Sequence, residues 1–150
     1  MPIIKSDGPR IAHPGMAYKA WRSASTVVGL TSQQKLLVAC LHTGCVMTII
    51  DAELAKSLDL PLQKCTLVPV AGIGSRHLSS AFVSFDTFFR GPDNAACIHI
   101  EAHLVENLKA KLLIGMDVMG HEGFRLDVDS KTVKIPSCMG LTVPNSMHAK

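Results

Sequence analysis

Between residues 25 and 135 the apolar residues come in short runs, none longer than a strand, and most are closed by turn-forming residues. STVVGL (25–30) leads into the polar TSQQ (31–34), KLLVACL (35–41) into His42-Thr43-Gly44, and SSAFVSFDTFF (79–89) into Gly91-Pro92-Asp93-Asn94. Such punctuation limits each run to one strand. CIHIEAHLV (97–105) alternates cleanly, with Ile98, Ile100, Ala102 and Leu104 on one face and His99, Glu101 and His103 on the other, the period of a half-buried strand. KLLVACL is apolar without alternation, so it is expected as a central strand buried on both faces. VMTII (46–50), LVPVAGIGS (67–75), KLLIG (111–115), and a hairpin of FRLDV (124–128) and TVKI (132–135) complete the set. Helical spacing occurs in DAELAKSLDLP, where Asp51 can cap, Leu54, Ala55 and Leu58 share a face, and Pro61 stops the helix. A second short helix is expected at 117–120, capped by Asp117. The expected class is all-β, a closed barrel or sandwich with one or two short helices.

The chain has 150 residues, the size of one domain, and 47% apolar residues against 5% aromatic ones, so its core is aliphatic. A net charge of +3 with scattered Lys and Arg excludes a nucleic-acid surface. No apolar run approaches the length of a membrane span. The five cysteines are odd in number and never spaced Cys-x-x-Cys. They are read as reduced thiols, which fits a soluble cytoplasmic protein with no cofactor. Residues 1–23, with three prolines and two glycines, are expected to form a loose arm. The domain proper is 24–135, and 136–150 is expected to be a tail without fixed structure.

One order of motifs narrows the fold further. An apolar strand runs into His42-Thr43-Gly44, then come VMTII and a short helix. The glycine-rich Gly72-Ile73-Gly74 follows, and late in the chain LLIGMDVM (112–119). This order resembles the retropepsins, the retroviral and retrotransposon-type aspartic proteases, over residues 24–135. The resemblance implies a closed β-barrel in which the strand 112–114 lies beneath the tripeptide loop and Gly72-Ile73-Gly74 tips a flap over bound peptide. It makes Gly115 and Asp117 structural residues of the late motif. It also implies a homodimer, because the chain carries the tripeptide once. Thr43 would then bond across the two-fold axis, and Gly44 would let the two backbones approach.

The family tripeptide is Asp-Thr-Gly, and here the first residue is His42. Aspartic proteolysis needs two carboxylates that share a proton, one to activate water and one to protonate the carbonyl. A symmetric pair of this chain would supply two imidazoles instead. Loss of activity on a retained fold is the preferred reading. A regulatory half-site that pairs with an Asp-bearing chain is the second, and a metal held by two His42 rings across the axis is the third. The alternatives for the whole chain are an aspartic endopeptidase rescued by another acid and a non-catalytic dimerisation or peptide-binding module. His99, Glu101 and His103 could ligate a metal but read more simply as a solvated strand face, so no metal is expected. Cys45 beside His42 invites a Cys–His nucleophile, and reads more simply as a small packed residue.

Overall fold

The computed structural model describes residues 1–6, 13–70 and 77–148. Its elements follow in order: a 3₁₀ turn (Ala17–Ala20), β1 (Trp21–Thr31), β2 (Leu36–Leu41), β3 (Ile49–Asp51), α1 (Ala52–Ser57), β4 (Leu62–Val70), β5 (His77–Arg90) and β6 (Ala95–Val105). Then come β7 (Leu112–Ile114), α2 (Met116–Glu122), β8 (Arg125–Asp127), β9 (Thr132–Ile135), a 3₁₀ turn (Pro136–Cys138), β10 (Leu141–Pro144) and β11 (Ser146–His148). The large sheet runs β11-β1-β2-β7-β3-β6-β5-β4, and a further β1–β5 pairing closes it on itself. Six strands, β1, β2, β7, β3, β6 and β5, therefore form the expected closed barrel, and β8, β9 and β10 make a separate small sheet. Closure removes the exposed edges that an open sheet of these strands would present.

The long β5–β6 ladder shows how alternation becomes a core. Val83 faces Ala102, Phe85 faces Ile100, Thr87 faces Ile98 and Phe89 faces Ala96, and all eight are buried. Each such cross-strand pair stabilises the ladder by a few tenths of a kcal/mol, up to about 1. The turn between the strands closes with the Gly91 N–H donating to the Asn94 carbonyl at 2.8 Å. The outward residues include His99, which meets Asp86 at 2.9 Å across the ladder, and His103, whose ring lies 5.7 Å from that of Phe82. Among the described residues no three His, Cys, Asp or Glu side chains gather as a metal site. No described helix is long and apolar enough to cross a membrane.

Four local expectations need correction. The strand at 35–41 is not buried on both faces: Leu36 is 64% exposed and Val38 49%. β2 turns Leu37, Ala39 and Leu41 into the main core, and on its other face only Cys40, at the end of the strand, is covered, in a second cluster with Cys45, Ile49 and Leu113. Val46–Ile50 is strand only at its end, because α2 takes the carbonyls of Cys45 and Val46 for its own first N–H groups, at 2.8 and 2.9 Å. The first strand is longer than 25–30 and reaches from Trp21 to Thr31. The segment after Pro136 is ordered: β10 pairs with β9 and β11 with β1. Leu141, Val143 and Met147 are buried there, an alternation that covers apolar surface the rest of the chain leaves open. All five cysteines are free thiols.

Candidate functional site

The loop from His42 to Thr48 leaves the end of β2 beside β7. The two strands run parallel, with Cys40 opposite Leu113 and Leu41 opposite Ile114. The His42 N–H extends this ladder by donating to the Ile114 carbonyl at 3.0 Å. The chain then reverses, and the Cys45 N–H returns to the His42 carbonyl at 3.2 Å. Inside this turn the Gly44 N–H donates to His42 Nδ1 at 3.0 Å. A short side chain that accepts from the backbone two residues on is a turn device ordinarily supplied by Asp or Asn. Nδ1 stands the same two bonds from Cβ as a carboxylate oxygen of aspartate, so the imidazole can take its place. Nδ1 as acceptor puts the ring proton on Nε2. The ring lies over Gly44 so closely that a Cβ there would fall 2.7 Å from His42 Cε1.

A second layer braces the loop from below. Thr48, fully buried in the apolar run, donates its hydroxyl to Asp117 Oδ1 at 2.7 Å and its N–H to Oδ2 at 3.0 Å. The same hydroxyl accepts the Gly115 N–H at 3.1 Å. Gly115 is required by contact rather than by conformation: a Cβ on it would stand 2.7 Å from the carbonyl oxygens of both Cys45 and Met47. Asp117 is thus a clamp and not the helix cap expected of it. Gly115 holds the N-cap position, and Asp117 lies in the first turn, where its charge also favours the helix dipole. In the sequence Thr48 shows only as a lone hydroxyl within VMTII, and nothing local points to its role.

The side chains with chemical potential are mostly engaged. Cys45 is fully buried, and its thiol donates to the Met47 carbonyl at 3.0 Å. Burial pushes the thiol up and the Asp117 charge adds to this, against a backbone hydrogen bond with Met47. A buried thiol held in that form is a poor nucleophile. Asp51, the acid nearest in sequence after the loop, is 2% exposed and accepts N–H groups from Leu108 at 2.9 Å and Leu54 at 3.3 Å. Lys111 Nζ lies 3.6 Å from it. Burial pushes this carboxyl up, but the two N–H donors and Lys111 outweigh that and hold it below its ordinary value. Asp59 is exposed and pairs with Lys35 at 3.2 Å.

What remains accessible is a rim: His42 half-buried, Thr43 and Gly44 exposed, Val46 77% exposed and Met116 42%. The expected flap tip, Gly72, Ile73 and Gly74, lies outside the described residues. The base of its hairpin is described, and a cleft of about 400 Å³ separates His77, Leu78 and Ser80 from Leu104 and Glu106.

No family model matches the sequence, and no curated protein matches it. Among solved structures the chain is similar to the retroviral protease-like domain of Ddi1 from Leishmania major. The TM-score is 0.52 at 15% sequence identity, over 83% of this chain and 91% of that one. At that identity the likeness is one of fold, and the fold of this chain is a retropepsin-like closed barrel that carries His42-Thr43-Gly44 at the end of its second strand.

Proposed function

We propose that this chain is a retropepsin-like half-site of retrotransposon origin, cytoplasmic, that pairs with a second copy through the Thr43-Gly44 loop and no longer cleaves peptides. The observation that carries this reading is the hydrogen bond from Gly44 N–H to His42 Nδ1. The turn that a family aspartate would hold is held by an imidazole, so the loop keeps its shape without a carboxylate. Two neutral imidazoles cannot divide the roles of a proton-sharing acid pair. Rescue by another acid finds little support, because Asp51 and Asp117 are both committed to structural bonds. The accessible rim with Val46 and Met116 supports pairing through the loop, and the cleft at the hairpin base supports retention of extended peptides.

The test uses the native chain and His42→Asp. Sedimentation at micromolar concentration should give a dimer for both, and a peptide library should be cut only by the variant, with a pepstatin-sensitive, acid-shifted profile. Cleavage by the native chain would overturn the inactive reading, and a monomer at all concentrations would overturn the pairing.

A further inference from the structure

The seam between β2 and β7 is short, and it leaves one stretch of strand edge open. β1 accompanies β2 from Leu36 to Leu41, while β7 meets it only at Cys40 and Leu41. An antiparallel strand turns the N–H and C=O of alternate residues toward the same neighbour. At the start of the hairpin the Thr31 N–H donates to the Lys35 carbonyl at 2.9 Å. Lys35 therefore faces β1, and Leu37, Ala39 and Leu41 follow in the same phase. Leu36, Val38 and Cys40 turn the other way, as does His42, whose N–H reaches the Ile114 carbonyl. Cys40 meets β7 on that side. Leu36 and Val38 have no ladder partner there among the described residues.

The same two residues are the exposed ones of the strand, Leu36 by 64% and Val38 by 49%. A strand edge that faces solvent is ordinarily guarded by charge, proline or a bulge. This stretch reads Leu-Leu-Val-Ala, its ladder with β1 runs in unbroken register, and Lys35 before it is paired with Asp59 at 3.2 Å. Val28, opposite Val38, is exposed as well, so the apolar strip continues away from the edge. Open backbone donors and acceptors in strand geometry are matched by the backbone of an extended chain. Four residues of strand span about 13 Å, a short contact beside the roughly 1,200–2,000 Å² that two folded chains bury in a stable pair. A second folded copy is thus the poorer fit, whereas a flexible segment needs only to lie along the edge. We propose that residues 36–39 bind an extended segment of a partner protein as an added antiparallel strand, with apolar side chains at its two positions opposite Leu36 and Val38. Each of those two residues exchanges a pair of hydrogen bonds with the residue opposite. This surface is separate from the pairing through Thr43 and Gly44.

The probe is a blocked peptide, Lys-Val-Thr-Val-Lys, titrated into the full chain and followed by amide hydrogen exchange, with the same peptide N-methylated at both valines as control. In the free chain the Leu36 and Val38 amides should exchange about tenfold or more faster than those of Leu37 and Ala39, which bond to β1. The peptide should slow Leu36 and Val38 about tenfold or more. The N-methylated peptide keeps the side chains but lacks the donors, and should leave both amides unchanged. Val38→Pro removes the outward N–H and no bond to β1, a change that an edge strand tolerates, and should weaken the peptide about tenfold or more. Leu36→Lys, at an exposed position, should act in the same direction. Circular dichroism confirms that each variant is folded. Slow exchange of Leu36 and Val38 in the free chain would mean that the chain or a second copy already covers the edge. That result, protection confined to the cleft at His77 and Leu104, equal protection by the N-methylated peptide, or undiminished binding by either folded variant would each overturn the proposal.

Discussion

The two ends of the segment that enters and leaves β3 make an instructive contrast. At the far end Asp51 is buried, accepts two backbone N–H groups and faces Lys111. At the near end His42 is half-buried, and among the described residues its ring accepts one hydrogen bond, from the glycine two residues on. The first is a carboxylate whose every interaction serves the fold. The second stands at the position the family resemblance assigns to chemistry, and its ring serves the turn. A side chain tied into several elements cannot change without unfolding something. One that closes a local turn can be exchanged for any residue that presents an acceptor at the same reach. That difference is what would let the loop keep its form under the exchange of its first residue proposed above.

Asp51→Ala should break the first end most severely. It strips the acceptor from two N–H groups, one of them buried, and leaves Lys111 without its partner, a loss of about 3 kcal/mol that urea unfolding would read as a lower midpoint at unchanged slope. The same residue should sharpen the contrast through pH. Its folded carboxyl is held below the ordinary value. Its contribution is therefore complete above the unfolded pKa of about 3.9 and disappears as pH falls through the folded value. The urea midpoint of Asp51→Asn, followed from pH 7 to pH 3, should fall less than that of the native chain. Parallel curves would remove Asp51 from the acid response.

Gly115→Ala should cost somewhat less, about 2 kcal/mol, because the methyl group meets two carbonyl oxygens and the bracket under the loop must open. The expected readout is a lower thermal midpoint together with faster amide exchange at Gly44 and Cys45. An unchanged midpoint would show that the loop is not wedged there.

The smallest effect belongs to the near end. His42→Ala should lower stability by about 0.5–1 kcal/mol through loss of the turn bond. His42→Asn, which keeps an acceptor at the same reach, should lie within a few tenths of the native value. If Asn is as damaging as Ala, the bond from Gly44 is not what holds the turn.

Much of this was legible in advance where the signal was local. Alternation in 97–105 gave β6 and its inward residues, because a strand has one period and Ile98, Ile100 and Ala102 all enter the main core. Asp51 before a helical spacing gave both the cap and α1. The same logic failed for Lys35–Leu41: an apolar run says that a strand can be covered on both sides and not that it is. It failed again after Pro136, where Leu141 and Val143 alternate too briefly to stand out until β9 and β1 are there to pair with them. Asp117 stands where a helix cap is expected and instead holds Thr48. An acid before a helix resembles a cap, and its partner Thr48 is distant in sequence.

The sequence by itself determined the class of fold, the number of tripeptide loops and the absence of an aspartate from the one it has, since these depend on residue type and order. Only the tertiary structure decided which carboxylates are already spent, that Gly115 is squeezed between two carbonyls, and that β7 meets β2 only at Cys40 and Leu41. Each of those depends on groups far apart in the chain meeting within a few ångströms, and a linear pattern carries no record of such distances.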